Sequence, residues 1–196
     1  MNKPNNFQRV RELNYMQKAV LAASLLERML PNYALFSDAT EFGDATIFRN
    51  ALNSIWEKLV FPKSKISLEK LVDKIEPIVP EIDDFDMFGV YPAIDTSTAL
   101  LSMLNGMMIE DELEFVNISK ISQASVAKLI EYQLGSQELS ANNEAIRAHP
   151  LMKYEIEILS ELIDYVENMG RINSDSIKGL KLKALEDGQT NIGIEI

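Results

Sequence analysis

Apolar residues recur at steps of three and four positions through each long interval of this chain. An α-helix has 3.6 residues per turn, so this spacing gathers them on one side of a helix. The intervals are long because residues that interrupt helices are few, with 8 glycines and 7 prolines among 196 residues. We therefore expect an all-α fold: a compact multi-helix bundle of about eight helices, forming one helical domain over residues 1–196.

The clearest helix is predicted between Asp44 and Val60. Its apolar side chains form a broad stripe, and the Asp44 carboxylate suits the N-cap because it can accept a hydrogen bond from a free backbone N–H. The stripe consists of Ile47, Phe48, Ala51, Leu52, Ile55, Trp56 and Leu59. We expect Trp56 to be buried between helices and not to line a substrate site. A similar stripe predicts another long helix over residues 150–169.

Two further expectations depend on local patterns near the ends of the chain. The first helix should begin after Asn5 or Asn6 and stop at Pro31, because proline lacks a backbone N–H and its ring collides with the preceding turn. Near the other end, apolar and polar residues alternate as they do in a strand. The alternating apolar residues are Ile192, Ile194 and Ile196. Since this segment has no strand partner, we expect it to pack its isoleucines onto the helices.

Composition excludes several classes of function. The chain has no cysteine, so disulfides, thiolate metal sites and cysteine nucleophiles are ruled out. Its 30 acidic and 19 basic residues give a net charge of −11, and the basic residues do not cluster with aromatic ones. We therefore expect neither nucleic acid nor a membrane as a partner. The first residues lack the apolar stretch of a signal peptide, which predicts a cytoplasmic protein.

Three segments carry distinctive local sequence. They are ERMLPNYALF at residues 27–36, FGDATIFRNALNSIWEKL at residues 42–59 and DDFDMFGVYPAID at residues 83–95. In their order and spacing, and together with residues 191–196, these segments resemble the YjaG-like proteins, a bacterial family of unknown function. The resemblance implies a compact helical fold in a bacterial cytoplasm. It implies no activity, cofactor or catalytic residue that could be transferred to this chain.

An acidic segment provides the candidate metal ligands. Asp84 and Asp86 would project to the same side of an extended stretch, where both could reach a hard cation such as Mg²⁺. Asp95 follows in the first turn of a predicted helix and completes the candidate set. The other interpretation makes the loop aspartates solvated turn residues and Asp95 a partner of the helix dipole. We favour that interpretation and expect no cofactor, with Mg²⁺ as the alternative.

A second set of charged residues lies on the first and second of the three segments named above. It comprises Glu27, Arg28, Asp44, Arg49 and Glu57. If the helices that carry them pack antiparallel, Arg28 could meet Asp44 or Glu57 in an interhelical ion pair. Such a pair could hold the bundle together or line a cleft for an anionic ligand. We favour the first role, because ion pairs at helix ends are common and do not by themselves mark a site.

These observations leave the biochemical activity unknown and the catalytic residues unassigned. The one histidine, His149, precedes a proline and is expected to cap a helix. Our preferred hypothesis is a non-enzymatic helical interaction module that binds a protein partner or itself as a homodimer. The adaptable side chains of Met103, Met107 and Met108 suit a partner surface, although methionines are more commonly found in a core. The alternative is a small enzyme or ligand-binding protein with a carboxylate site, Mg²⁺-assisted in one version, in which an arginine contacts an anionic substrate.

Overall fold

The computed structural model describes residues 5–137 and 142–196 and consists mainly of helices within these ranges. Within these ranges there are nine α-helices and two short 3₁₀ turns, Glu76–Ile78 and Ile82–Asp84, with no strand beyond an isolated bridge between Gln189 and Glu195. The helices are α1 Asn6–Glu12, α2 Tyr15–Thr40, α3 Ala45–Val60, α4 Glu69–Ile75, α5 Val90–Ile109, α6 Glu112–Ser136, α7 Asn143–Ala148, α8 Pro150–Asn168 and α9 Ser174–Ala184. The predicted all-α fold is confirmed.

The core is organised around α2, the longest helix of the described residues. It packs against α3, α5, α6, α8 and α9, and its buried residues lie on almost every side. A helix that is buried on almost every side is enclosed by its neighbours, so α2 occupies the centre of the bundle. Helices α5 and α6 form an antiparallel pair beside it. No described helix has the combination of length and apolar character that crossing a membrane requires.

The predicted stop at Pro31 is wrong, because α2 runs through this proline to Thr40. The helical sequence is interrupted earlier, where Asn14 begins α2 with a capping box to Gln17. A proline inside a helix costs about 3 kcal/mol. That cost is outweighed by burying the side chains that follow it, including Tyr33 and Phe36.

Two backbone carbonyls just before this proline have partners outside α2. The carbonyl of Arg28 accepts a hydrogen bond from the backbone N–H of Asn191 at 3.3 Å, and that of Met29 accepts one from the Thr96 hydroxyl at 3.0 Å. A proline disturbs the hydrogen bonding of the turn before it. Contacts from the C-terminal segment and from α5 therefore support the backbone at this point of the helix.

The two most clearly patterned helices form where the sequence predicts them. Helix α3 begins after Asp44, whose carboxylate accepts the backbone N–H of Thr46 at 2.8 Å. Helix α8 begins after His149, which accepts the backbone N–H of Leu151 through its side chain. Trp56 is 3% exposed, so its predicted burial is confirmed.

Helices α5 and α6 approach each other closely because small residues line their contact. A Cβ atom added at Gly106 would lie 2.8 Å from Cε1 of Phe115, which is too close for any other residue to fit without movement. On α6, the buried residues Ser119, Ser122 and Ser125 recur at steps of three and face the interior. Their small hydroxyl side chains admit neighbouring helices and supply hydrogen bonds there.

The predicted packing of the C-terminal isoleucines is correct only for Ile192, which is buried. Ile194 and Ile196 are exposed. The segment is not extended, since Gly193 adopts a left-handed conformation with φ of 77° and the N–H of Thr190 donates to the carbonyl of Ile194. This turn removes the regular alternation that a strand would have, so the three side chains do not share one side.

Candidate functional site

Arg28 lies at the centre of a buried ionic group formed by α2, α8 and the segment after α9. Its Nη1 donates to both carboxylate oxygens of Asp187 at 2.9 Å and to the carbonyl of Ala184 at 2.8 Å. Its Nη2 lies 3.3 Å from the Glu155 carboxylate. Arg28 is 1% exposed, and Glu155 is equally buried. We call Arg28, Glu155 and Asp187 the Arg28 centre.

The two carboxylates of the Arg28 centre have opposite pKa shifts. Burial raises the pKa of Glu155 to about 7, against the attraction of Arg28. Burial also acts to raise the pKa of Asp187, but the hydrogen bonds and charge of Arg28 outweigh it and lower that pKa below its usual value. The shifts differ because Glu155 is more deeply buried than Asp187 and receives a single longer contact from Arg28, whereas both Asp187 oxygens accept hydrogen bonds from Arg28.

The C-terminal segment attaches to the same place through Asn191. Its Nδ2 donates to the carbonyl of Ser122 at 3.1 Å, and its Oδ1 accepts from Asn32 Nδ2 at 2.8 Å. The Ser122 hydroxyl in turn donates to Glu155 at 3.2 Å. Together with the backbone contact to Arg28, these bonds join α2, α6, α8 and the C-terminal segment around one buried polar group.

Glu27, the residue before Arg28, forms a separate centre with α3 and α9. Its carboxylate accepts from Nε1 of Trp56 at 2.8 Å and from Arg49 at 2.6 Å, and it lies 3.4 Å from Lys181 Nζ. Lys181 also sits over the Trp56 ring, 5.1 Å from its centroid. Glu27 is buried, whereas Arg49 and Lys181 are partly exposed. We call these four residues the Glu27 centre.

The structure unites only part of the charged set selected from the sequence. Glu27 and Arg49 meet, but the ion pair suggested between Arg28 and Asp44 or Glu57 does not form. Asp44 is exposed and caps α3, and Glu57 is exposed on the same helix. Arg28 instead contacts α8 and the segment after α9. Two of the decisive partners, Glu155 and Asp187, were missed because they lie far from Arg28 along the chain.

The candidate metal ligands are also separated. Asp84 ends a 3₁₀ turn and, like Asp86, is exposed in the loop before α5. Asp95 is buried, where it accepts from the Ser125 hydroxyl at 2.6 Å and from Lys128 Nζ at 2.7 Å. Among the residues that the structure describes, no group of three or more histidine or acidic side chains is placed to hold a metal ion.

The three methionines do not form the suggested partner surface and follow the commoner pattern of core residues. Met103 is fully buried in the core, and Met107 and Met108 are partly buried and packed against it. These residues lie on α5, which α2 and α6 cover. A helix enclosed in this way places adaptable side chains inside the bundle, where they fill space and are not offered to a partner.

An exposed group of aromatic side chains lies where the start of α5 meets the end of α6. The Phe88 ring stacks on that of Tyr132 with centroids 4.7 Å apart, and the Tyr91 ring lies 5.7 Å from Phe88. Tyr132 is 58% exposed, Met87 40% and Tyr91 37%. We call Met87, Phe88, Tyr91 and Tyr132 the aromatic surface. Sequence reasoning missed it, because its members lie before α5, on α5 and on α6, and no spacing connects them.

The contact between Asp95 and Lys128 positions the aromatic surface. Asp95 lies one turn after Tyr91 on α5, and Lys128 lies one turn before Tyr132 on α6. Their ion pair, together with the hydrogen bond from Ser125, fixes how the two helices align. One of the candidate metal ligands therefore has a structural role that keeps the exposed rings together.

Comparison with known proteins places this architecture in a family. Residues 5–195 match the sequence profile described as "Protein of unknown function (DUF416)". The chain belongs to the DUF416 family. Its resemblance to the YjaG-like proteins is thereby confirmed, since the relatives found include proteins of that name.

Relatives of this DUF416 protein match along almost its whole length. The uncharacterized protein YjaG of Escherichia coli K12 is 37% identical over 187 residues, covering 95% of this chain and 94% of that protein. An uncharacterized protein of Haemophilus influenzae is 32% identical over 192 residues, covering 95% of both chains. The crystal structure of a DUF416 family protein from Shewanella baltica OS155 superposes with a TM-score of 0.90 at 36% identity, covering 99% of this chain and all of that one.

Proposed function

We propose that this DUF416 protein is a non-enzymatic interaction module of the bacterial cytoplasm, and that the aromatic surface is where a protein partner binds. The observation that carries the proposal is the exposure of Met87, Tyr91 and Tyr132 around the partly buried Phe88, whose ring stacks on that of Tyr132 and lies tilted against that of Tyr91. Tyrosine, phenylalanine and methionine are enriched at protein interfaces. A contiguous exposed group of such side chains is typical of an interaction site, whereas single exposed apolar residues are not.

The way the rings are held supports the same function. They project from the ends of two helices that are packed against each other and aligned by the Asp95–Lys128 ion pair. A partner that binds side chains already fixed in place loses less conformational freedom on binding. Tyrosines in this arrangement are frequent binding hot spots, because each buries a large area and offers a hydroxyl to the partner.

The two ionic centres support a structural role for the charged residues and not a catalytic one. Each charged group in the two centres has an oppositely charged partner within the protein. The three residues of the Arg28 centre connect α2, α8 and the segment after α9. Interactions of this kind maintain the arrangement of α2, α3, α8 and α9. The rigid helix pair that carries the aromatic surface rests on that arrangement.

Site-specific crosslinking in living bacteria tests the proposal. The photoreactive residue p-benzoylphenylalanine is introduced at Tyr132 and, as a matched control, at Leu182, which is 65% exposed on α9. We expect irradiation to produce a discrete heavier adduct of the 22.1 kDa chain at position 132 only. We also expect Tyr91→Ser, in the same background, to remove that adduct. An adduct with twice the mass of the chain would identify the partner as a second copy.

Two results would contradict the proposed function. One is the lack of any adduct at position 132 in cells that express the protein at its native level. The other is an equal pattern of adducts at positions 132 and 182, which would indicate nonspecific encounters with an exposed reactive group.

A further inference from the structure

We propose that the aromatic surface binds a segment of a partner protein that is rich in arginine and lysine, an inference that rests on the function proposed above. The rings provide the contact area. The charges around them determine which partners can approach, because complementary charge sets both the rate and the selectivity of association.

The chain next to the aromatic residues is rich in acidic side chains. The loop that leads directly into Met87 carries four exposed acidic residues, and Glu131 lies next to Tyr132 on α6. The loop residues are Glu81, Asp83, Asp84 and Asp86. None of these five carboxylates forms an ion pair within residues 5–137 and 142–196. Their charge is therefore available to a partner.

Two further features add to this negative field. Helix α6 ends at Ser136 without a basic residue in its last turn, so the partial negative charge of its C-terminal carbonyls is not offset from within that turn. The lysine closest along α6 to the exposed rings is Lys128, and Asp95 already holds its ammonium group at 2.7 Å. The aromatic surface thus combines exposed rings with a surplus of carboxylates.

The guanidinium group of arginine suits a surface of exposed rings and nearby carboxylates better than other side chains do. It can stack flat on a tyrosine or phenylalanine ring while its N–H groups reach carboxylates at the ring edge. Asp86 precedes Met87 and Phe88 directly in the chain, so acidic and aromatic groups lie within one short stretch. Arginines of the partner would contact Phe88, Tyr91 and Tyr132, and further basic residues would lie along the acidic loop.

The same charges argue against a second copy of this chain as the occupant. Each molecule has a net charge of −11, and a symmetric dimer through the aromatic surface would bring two acidic loops to one interface. Like charges brought together at an interface oppose association. A basic segment of another protein avoids that repulsion and uses the negative field to accelerate binding.

A synthetic peptide tests this inference directly. The probe is a fluorescein-labelled amphipathic helix of fourteen residues, with arginines on one side and leucines on the other, and binding is followed by anisotropy at constant ionic strength. The site variant combines Asp83→Asn, Asp84→Asn and Asp86→Asn. The control variant combines Glu57→Gln, Glu157→Gln and Asp175→Asn, which removes the same charge from α3, α8 and α9, where these residues are also exposed.

We expect the site variant to raise the dissociation constant about tenfold and the control variant less than about twofold. Tyr132→Ala should weaken binding to a similar extent as the site variant. The same peptide with glutamate in place of arginine should not bind. Circular dichroism of each variant should match that of the parent, since all the changed side chains are exposed.

Three results would overturn the inference. Equal weakening by the site and control variants would mean that only the overall charge of the protein attracts the peptide. Unchanged binding to the Tyr132→Ala variant would remove the rings from the interaction. Equal binding of the glutamate peptide would exclude charge as the selecting property. If any of these occurred while the crosslinked adduct at position 132 still formed, the proposed function would stand and the inferred partner class would be wrong.

Discussion

Glu27 and Arg28 are neighbours in the central helix, are both buried and carry opposite charges, yet their surroundings differ. Arg28 faces partners that are themselves almost wholly buried, in α8 and in the segment after α9. Glu27 is held by Trp56 and by two cations whose side chains remain 40% and 32% exposed. The Arg28 centre thus has little contact with solvent, whereas the cations of the Glu27 centre remain substantially exposed to water.

This difference should determine how strongly each centre contributes to stability. Removing one member of a buried ion pair leaves the other charge without either a partner or water, and the cost is several kcal/mol. When the lost partner was already hydrated, water replaces much of its interaction and the cost is small. The following experiments test whether the two centres differ in this way.

Replacing Arg28 with methionine should have the largest effect. The side chain keeps much of its volume, but the Asp187 and Glu155 carboxylates and the carbonyl of Ala184 lose their shared donor. We expect a loss of about 3 to 5 kcal/mol in the free energy of unfolding. Urea denaturation followed by circular dichroism would measure it.

A double variant provides the control for Arg28→Met. Adding Glu155→Gln removes one of the two charges left behind, so part of the lost stability should return. If Arg28→Met unfolded at the same urea concentration as the parent, the Arg28 centre would have no special role in stability.

The second effect is a dependence of stability on pH. The pKa of Glu155 is raised by burial from 4.5 to about 7, so the folded protein binds this proton more tightly than the unfolded chain does. Its contribution to stability is complete below pH 4.5 and is lost as pH rises through 7. Between pH 5 and pH 8 the parent should therefore lose on the order of 2 kcal/mol that the Glu155→Gln variant does not lose.

Denaturant unfolding of both proteins at several pH values would measure this difference. Asp187 does not interfere in this range, because its pKa is lowered and its contribution is lost only in more acidic solution. Parallel stability curves for the parent and Glu155→Gln would contradict the pKa assigned to Glu155.

Replacing Trp56 with phenylalanine should have a smaller effect. The aromatic packing is largely kept, but Glu27 loses the N–H donor at 2.8 Å. Since Arg49 and Lys181 still contact the carboxylate, we expect a loss of about 1 to 2 kcal/mol in the free energy of unfolding. Trp56→Ala, which also removes the ring from the core, should cost about 3 to 5 kcal/mol and sets the scale for comparison. Equal losses for the two variants would mean that the hydrogen bond, and not the packing, dominates.

The smallest effect is expected for Arg49→Gln. The guanidinium is partly exposed, so water and Lys181 take over much of its interaction with Glu27. We expect the free energy of unfolding to fall by about 0.2 to 1 kcal/mol. A loss as large as that of Arg28→Met would show that the two centres do not differ in the way described above.

The helices were predictable where one local pattern dominates. In α3, a cap and a regular apolar stripe act together, and the helix forms at the predicted residues. At Pro31 a local rule favoured a break, but the packing of the following residues into the core overrode it. Such packing involves helices from the whole chain, so the sequence around Pro31 does not contain the information that decides the outcome.

The members of the two ionic centres were predictable only in part, because their contacts join distant parts of the chain. Glu27 and Arg49 were selected as charged residues on helices that could pack antiparallel. Glu155 could have been found, because it lies on the apolar stripe of α8 between Leu151 and Leu159, and a buried charge needs a partner. The sequence does not indicate the aromatic surface. The exposure of its side chains depends on which faces of α5 and α6 the other helices leave uncovered.

The attachment of the C-terminal segment to Arg28 has a consequence for synthesis of the protein. Asp187 and Asn191 leave the ribosome after all nine described helices have been made. Until then Arg28 faces Glu155 without its closest carboxylate, and the carbonyl before the Pro31 turn lacks the N–H of Asn191. A nascent or truncated chain that ends at α9 therefore leaves the buried Arg28 with Glu155 as its one carboxylate partner, at the longer distance of 3.3 Å. Cellular proteases should remove such chains faster than the finished protein.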